Sequence, residues 1–185
     1  MMQPSIKFGP KANQTVVSVF SIGVLTDILN AAGVGACLIT STSRTPADQA
    51  RIMFGNIVST GVAKQMGLYK PPGQAVIQVF VQAQKAGKSK DQIIAAMLAK
   101  IMALGPGNVS HHCADPSKLN VVDIAPSSIA NQPAFVKAVN AALAKGTVSK
   151  FLNQAKGDPA FHIEIPQPAV AMESPAPAVP TPDKV

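Results

Sequence analysis

The sequence predicts an α+β fold in a single domain. Apolar residues recur at helical spacing near the N-terminus, at Val17, Phe20, Val24, Ile28 and Leu29. Two short segments in the C-terminal half, over 119–124 and 161–165, are rich in branched and aromatic residues and read as strands. The chain has 185 residues, 47% of them hydrophobic, which suits one sizeable core and excludes a disordered body.

The first helix is expected over 16–32, ending at Gly33 and Gly35, with a strand over 36–41 behind it. Thr45 is a candidate N-cap and Pro46 a favoured first helical residue, so a second helix runs from there towards Gly67. Pro71-Pro72-Gly73 breaks the chain before a helix over 74–85. Ser89-Lys90-Asp91-Gln92 opens another, which Gly105-Pro106-Gly107 closes. After the strand that holds Asp123 come a helix near 134–144 and a last strand over 161–165. This organisation gives an N-terminal extension at 1–15, a domain at 16–166 and a proline-rich tail at 167–185, whose composition cannot bury a core.

Composition narrows the partners. The formal charge of +7 favours an anionic surface or polymer, such as cell wall. Trp is absent, and Lys64, Lys70, Lys85, Lys88, Lys90 and Lys100 are scattered singly, so no nucleic acid partner is expected. Lys7 and Lys11 before the apolar stretch 16–25, with Val34-Gly35-Ala36-Cys37 behind it, imitate an export signal. Asp27 and Asn30 interrupt the apolar run, which is also too short to cross a bilayer. The stretch therefore reads as a helix of the folded domain, with no recognisable export signal and no transmembrane segment. Cys37 lies in an apolar run and reads as a buried small hydrophobe. Cys113 follows the histidine pair, but alternation along a strand would turn it away from His112.

The chemistry concentrates in the C-terminal half. All three histidines, His111, His112 and His162, lie there, and Asp123 stands between them. Two neutral imidazoles and one carboxylate make a ligand set that leaves one position on a zinc ion open, the arrangement of a catalytic rather than a structural metal. Strand alternation puts Asp123 on one face with Val121 and Ala125, and His162 on one face with Glu164, away from Phe161, Ile163 and Ile165. That face is either half-solvated or at the mouth of a cleft.

Ser43-Arg44-Thr45-Pro46 with Gln49, Ser110-x-His112, Val122-Asp123-Ile124 and Phe161-His162-Ile163-Glu164 together resemble the zinc peptidases that cleave peptidoglycan stems. That family includes D-alanyl-D-alanine carboxypeptidases, D,D-dipeptidases and phage L-alanyl-D-glutamate endopeptidases, and shares its fold with the hedgehog signalling domain. The resemblance covers roughly 16–165 with its motifs in order. It implies a small antiparallel sheet that carries the metal, packed against helices. It also implies His112, Asp123 and His162 as zinc ligands, and Arg44 with Gln49, Ser110 and His111 at the substrate. The histidine-to-aspartate spacing is longer than the family's, which implies an inserted loop over 113–120. The family's proton-transfer acid falls on Pro159 here, so Asp158, one residue upstream, and Glu164, two residues beyond His162, are the candidates.

The implied activity is hydrolysis of amide bonds in peptidoglycan stem peptides or cross-links. The implied setting is a phage lysis or virion-associated enzyme, or a bacterial envelope protein exported by another route. The alternative is a non-catalytic metal-binding or virion structural module on the same fold. A basic nucleic-acid binder is disfavoured by the missing aromatics and the missing basic runs.

Overall fold

The computed structural model describes residues 3–169 and forms one α+β domain around a five-stranded sheet. The C-terminal residues 170–185, most of the expected tail, lie outside the described residues. In chain order the elements are β1 (Ser5–Phe8), α1 (Val19–Ala31), β2 (Ala36–Ser41), α2 (Pro46–Thr60), α3 (Val62–Leu68), α4 (Pro71–Lys85), α5 (Lys90–Leu104), α6 (Pro106–Val109), β3 (Leu119–Ile124), α7 (Gln132–Ala144), β4 (Lys150–Leu152) and β5 (Phe161–Pro166). The strands lie in the order β1-β2-β3-β5-β4.

The sheet is mixed, which corrects the expectation of an antiparallel one. β1 runs parallel to β2 with Ile6 opposite Cys37, while the remaining pairs are antiparallel. Ser-Ile-Lys-Phe is only four residues, and its partner lies beyond a whole helix, so no local turn signals the pairing. The segment read as an extension thus supplies an edge strand. Gln167, one residue past the expected boundary, is tied to the domain. Gln167 donates its backbone N–H to Lys118 and its side-chain amide to Ser21, and accepts from the Ser18 hydroxyl.

Two apolar clusters build the core. In the first, Leu25, Ile28 and Leu29 of α1 and Phe135 and Val139 of α7 pack on one face of the sheet, against Ile39, Val122, Ile124, Ile163 and Ile165. Each side chain of this size contributes about 1.5–3 kcal/mol on full burial. Cys37 is buried in this cluster with a free thiol, as its apolar surroundings predict. The second cluster lies within α2, α4 and α5, around Met53, Ile77, Phe80, Met97 and Ile101. Helices α2 to α6 are therefore one long helical excursion between β2 and β3.

Local chemistry explains the helix boundaries. Thr45 caps α2 by accepting from the Asp48 N–H, and Ser89 with Gln92 forms a reciprocal capping box on α5. The single helix expected from Pro46 towards Gly67 is two, because Gly61 adopts φ +89° and ends α2. Pro71 and Pro72 begin α4 rather than break the chain ahead of it, since the first turn needs no N–H. Gly73 is required inside that turn because the Tyr69 ring lies against its Cα, where a Cβ would collide. No helix among the described residues is long and apolar enough to cross a membrane.

Asn120 fastens the start of α1 to the sheet. It is 1% exposed, accepts from the Ser18 N–H at 2.7 Å, and donates to the carbonyls of Val16 and Pro116 at 3.1 and 2.8 Å. Asn120→Ala leaves those three backbone groups without their partner and should destabilise the domain by about 2–4 kcal/mol. Urea unfolding would measure this. A loss below about 0.5 kcal/mol would mean that water replaces the amide.

Candidate metal centre

Sheet register assembles the site. Across β3 and β5, Asp123 lies directly opposite His162 and Val121 opposite Glu164; across β4 and β5, Glu164 lies opposite Lys150. Opposed residues share a face, so Asp123, His162, Glu164 and Lys150 all point away from the α1/α7 core. This is the face that alternation predicts for Asp123 and His162.

His112 arrives from outside the sheet. The short helix α6 and a single 3-10 turn, His111–Cys113, bring the chain from the helical cluster back to β3. The two histidines thus sit on a tight turn rather than a strand. The loop after β2 clasps this turn at two points: the Arg44 N–H donates to the His112 carbonyl at 2.7 Å, and the Thr42 carbonyl pairs with His112 Nδ1 at 2.9 Å.

His112, Asp123 and His162 offer ligand atoms that all lie within 4.8 Å of one another. His112 Nε2 is 3.1 Å from Asp123 Oδ2, and His162 Nδ1 is 2.9 Å from Asp123 Oδ1. Both histidines are only 7% exposed. The donor set fits a metal ion on more than proximity. A carbonyl oxygen only accepts, so the Thr42 contact holds a proton on His112 Nδ1 and makes Nε2, which faces Asp123, the nitrogen available to a metal. Cys113 stands outside the group and keeps a free thiol, which burial pushes up to about 11.

The charges of the site are strongly coupled. Burial works against the Asp123 carboxylate, but hydrogen bonds from His112 and His162 outweigh it and hold the carboxyl far below its usual range. Burial likewise disfavours a charged His162, yet the carboxylates of Asp123 and Glu164 on its two nitrogens raise it to about 9. Glu164 is lowered to about 2 against its own burial, by hydrogen bonds from His162 and His111 and by the nearby Lys150. Glu164 Oε1 lies 2.9 Å from His162 Nε2, 2.7 Å from His111 Nδ1 and 3.2 Å from Lys150 Nζ.

A cleft of about 940 Å³ opens beside Asp123. Its walls include Arg44, the Asp48, Arg51, Ile52 and Gly55 face of α2, and Lys11 from the N-terminal segment. Arg44 donates to the Ser41 hydroxyl at 2.7 Å, and Arg51 pairs with Asp48. Gln49, expected at the substrate, instead belongs to the opposite face of α2 with Ala50, Met53 and Ile57. It is 1% exposed and donates to the Tyr69 hydroxyl. Helical periodicity counted from the Thr45 cap separates Gln49 from the cleft face. Ser110 caps nothing with its side chain and serves through its carbonyl, which accepts from the Cys113 N–H. Asp158 lies on the turn before β5, where its carboxylate accepts from the Ala160 N–H.

Lys150 and the Thr42 carbonyl are the contributors that sequence reasoning missed. A three-residue strand gives too little alternation to recognise, and a backbone acceptor has no residue signature. No family model, curated protein or solved structure matches this chain.

Two outcomes test the centre. His112→Ala and His162→Ala should each lose most of the bound metal, since two remaining ligands cannot complete the set; metal analysis of the purified proteins reads this directly. Affinity should also depend on pH. His162 carries its Nδ1 proton below its pKa of about 9 in the metal-free protein, so a metal must displace that proton. The apparent affinity should therefore rise about tenfold per pH unit from pH 7 to 9 and flatten above, as a chelator-competition titration would measure. A pH-independent affinity over that range would mean that His162 Nδ1 carries no proton there for a metal to displace.

Proposed function

We propose that this chain is a zinc-dependent peptidase that hydrolyses amide bonds in peptidoglycan stem peptides or cross-links. The observation that carries the reading is the convergence of His112 Nε2, Asp123 and His162 Nδ1 beside a cleft whose wall holds Arg44. The motif order of the sequence supports it independently, and a net positive chain suits an anionic cell-wall polymer. A phage lysis or virion-associated enzyme, or a bacterial envelope enzyme, is the setting that this substrate implies.

His112, Asp123 and His162 would hold the ion, which when bound supplies a Lewis acid and a water acidified to a pKa of about 7. The remaining steps belong to side chains of the protein. Arg44 binds the carbonyl or carboxylate of the substrate and pairs with the charge that develops on its oxygen. A carboxylate takes the proton of the attacking water and returns it to the leaving amine. Glu164 suits this poorly, because a group held at about 2 is a weak base and its oxygen already accepts from three donors. Asp158 suits it better. Only its Oδ1 has a hydrogen bond, from its own turn, and that turn leads directly into β5.

A non-catalytic metal-binding module is the second reading, favoured by how thoroughly the Glu164 carboxylate is already satisfied. Incubation of purified peptidoglycan with the zinc-loaded chain, followed by mass spectrometry of released peptides, separates the two. New stem-peptide termini are expected. Asp158→Asn should keep the metal and the fold but lose about 100-fold or more in turnover. Zinc retention without any peptide release by the wild-type chain would establish the second reading instead.

A further inference from the structure

We propose that Glu164 is the positioning residue of the metal centre: its carboxylate holds the Nε2 proton of His162, so that Nδ1 is the nitrogen left to ligate. This rests on reading His112, Asp123 and His162 as a metal site, and not on the peptidase reading.

A neutral imidazole carries one proton on either of two nitrogens, and its neighbours decide which. His162 Nδ1 faces Asp123 Oδ1 at 2.9 Å, and Nε2 faces Glu164 Oε1 at the same 2.9 Å. An ionised carboxylate accepts only, so a ring with one proton must choose between two acceptors. If the proton stays on Nδ1, it occupies the ligating lone pair and ties up one oxygen of Asp123. Glu164 tips the choice towards Nε2 and leaves both ligand atoms free.

Glu164 is itself fixed more firmly than a solvated strand residue would be. It is 3% exposed, and the same Oε1 accepts from His111 Nδ1 at 2.7 Å and from Lys150 Nζ at 3.2 Å. Lys150 stands opposite it in the β4–β5 register, so the sheet that places His162 also places the group that orients it. The site then has one orienting acceptor per histidine. Thr42 supplies a backbone carbonyl to His112, and Glu164 supplies a carboxylate to His162. Of the two, only the carboxylate can be removed by substitution. His111, expected at the substrate, gains a concrete task as a donor that keeps Glu164 aimed at His162.

The test uses the full chain, stripped of metal and titrated with zinc against a chromophoric chelator, for wild type, Glu164→Met and Glu164→Gln. Methionine keeps the length of the side chain but cannot accept the proton strongly; glutamine keeps an accepting oxygen. Glu164→Met should bind zinc about 10- to 100-fold more weakly than wild type, and Glu164→Gln should fall between the two. Two-bond ¹H–¹⁵N spectra of the zinc-loaded proteins give a readout that general destabilisation does not move. His162 should be protonated at Nε2 in wild type and in Glu164→Gln. Should Glu164→Met fail to fold, the glutamine variant still carries the comparison through its intermediate affinity. Equal affinities across the folded proteins, or an Nδ1 proton on His162 in the zinc-loaded wild type, overturn the proposal. Absence of zinc binding by wild type would instead remove the metal reading, and this proposal with it.

Discussion

The site depends on the register of β5 between β3 and β4. Along β5, Phe161, Ile163 and Ile165 enter the core beneath α1 and α7, so His162 and Glu164 must emerge on the other face. A one-residue slip would exchange these sets, burying a histidine and a glutamate in hydrocarbon and exposing three large apolar side chains. Hydrophobic burial on one face thus fixes polar geometry on the other. Because Val122 and Ile124 of β3 enter the same core, Asp123 is carried to its place opposite His162 by the same constraint.

The helical excursion between β2 and β3 completes what the sheet cannot supply. Its own apolar cluster gives α2 a fixed orientation, with one face buried on Met53 and Ile57 and the opposite face forming a wall of the cleft. Its last short helix then delivers the 3-10 turn of His111–Cys113 against β3. The loop over 42–44 binds that turn from below through two backbone contacts. His112 is therefore positioned by two converging routes, β2 and α6, each anchored in a different apolar cluster. Loop residues are placed this accurately only when both flanks are rigid.

What the sequence made legible follows the range of the interactions. The α+β class, the Thr45 cap, the helix start at Ser89 and the faces of β3 and β5 all come from contacts within a few residues, and each is present in the structure. The misjudged features needed partners far away along the chain. The parallel pairing of Ser5–Phe8 depends on a strand thirty or so residues later, and Lys150–Leu152 becomes a strand only because β5 runs beside it. The same division applies to the site. Residue types at the right places suggested His112, Asp123 and His162, whereas the Thr42 carbonyl and Lys150 become visible only once the strands are paired. Gln49 shows the reverse case, since a residue that resembled a substrate contact by motif lies on the core face of its helix.

The polar network also bears on how the metal and the fold are related. Small zinc domains fold only when the ion gathers their ligands, because they lack a core of their own. Here the ligand-bearing strands are held by a large apolar cluster on their far face, which owes nothing to the site. Within the site the charges already compensate one another: a protonated His162 lies between the carboxylates of Asp123 and Glu164, and Lys150 closes the row. Buried charges arranged in this way satisfy their hydrogen bonds without an ion. The proton on His162 Nδ1 serves as the internal counter-charge that keeps the two carboxylates together. A metal bound at this group would replace that proton in a position already prepared for positive charge. The fold therefore does not need an ion to gather these side chains, and the energy of binding one would tighten a site rather than build it.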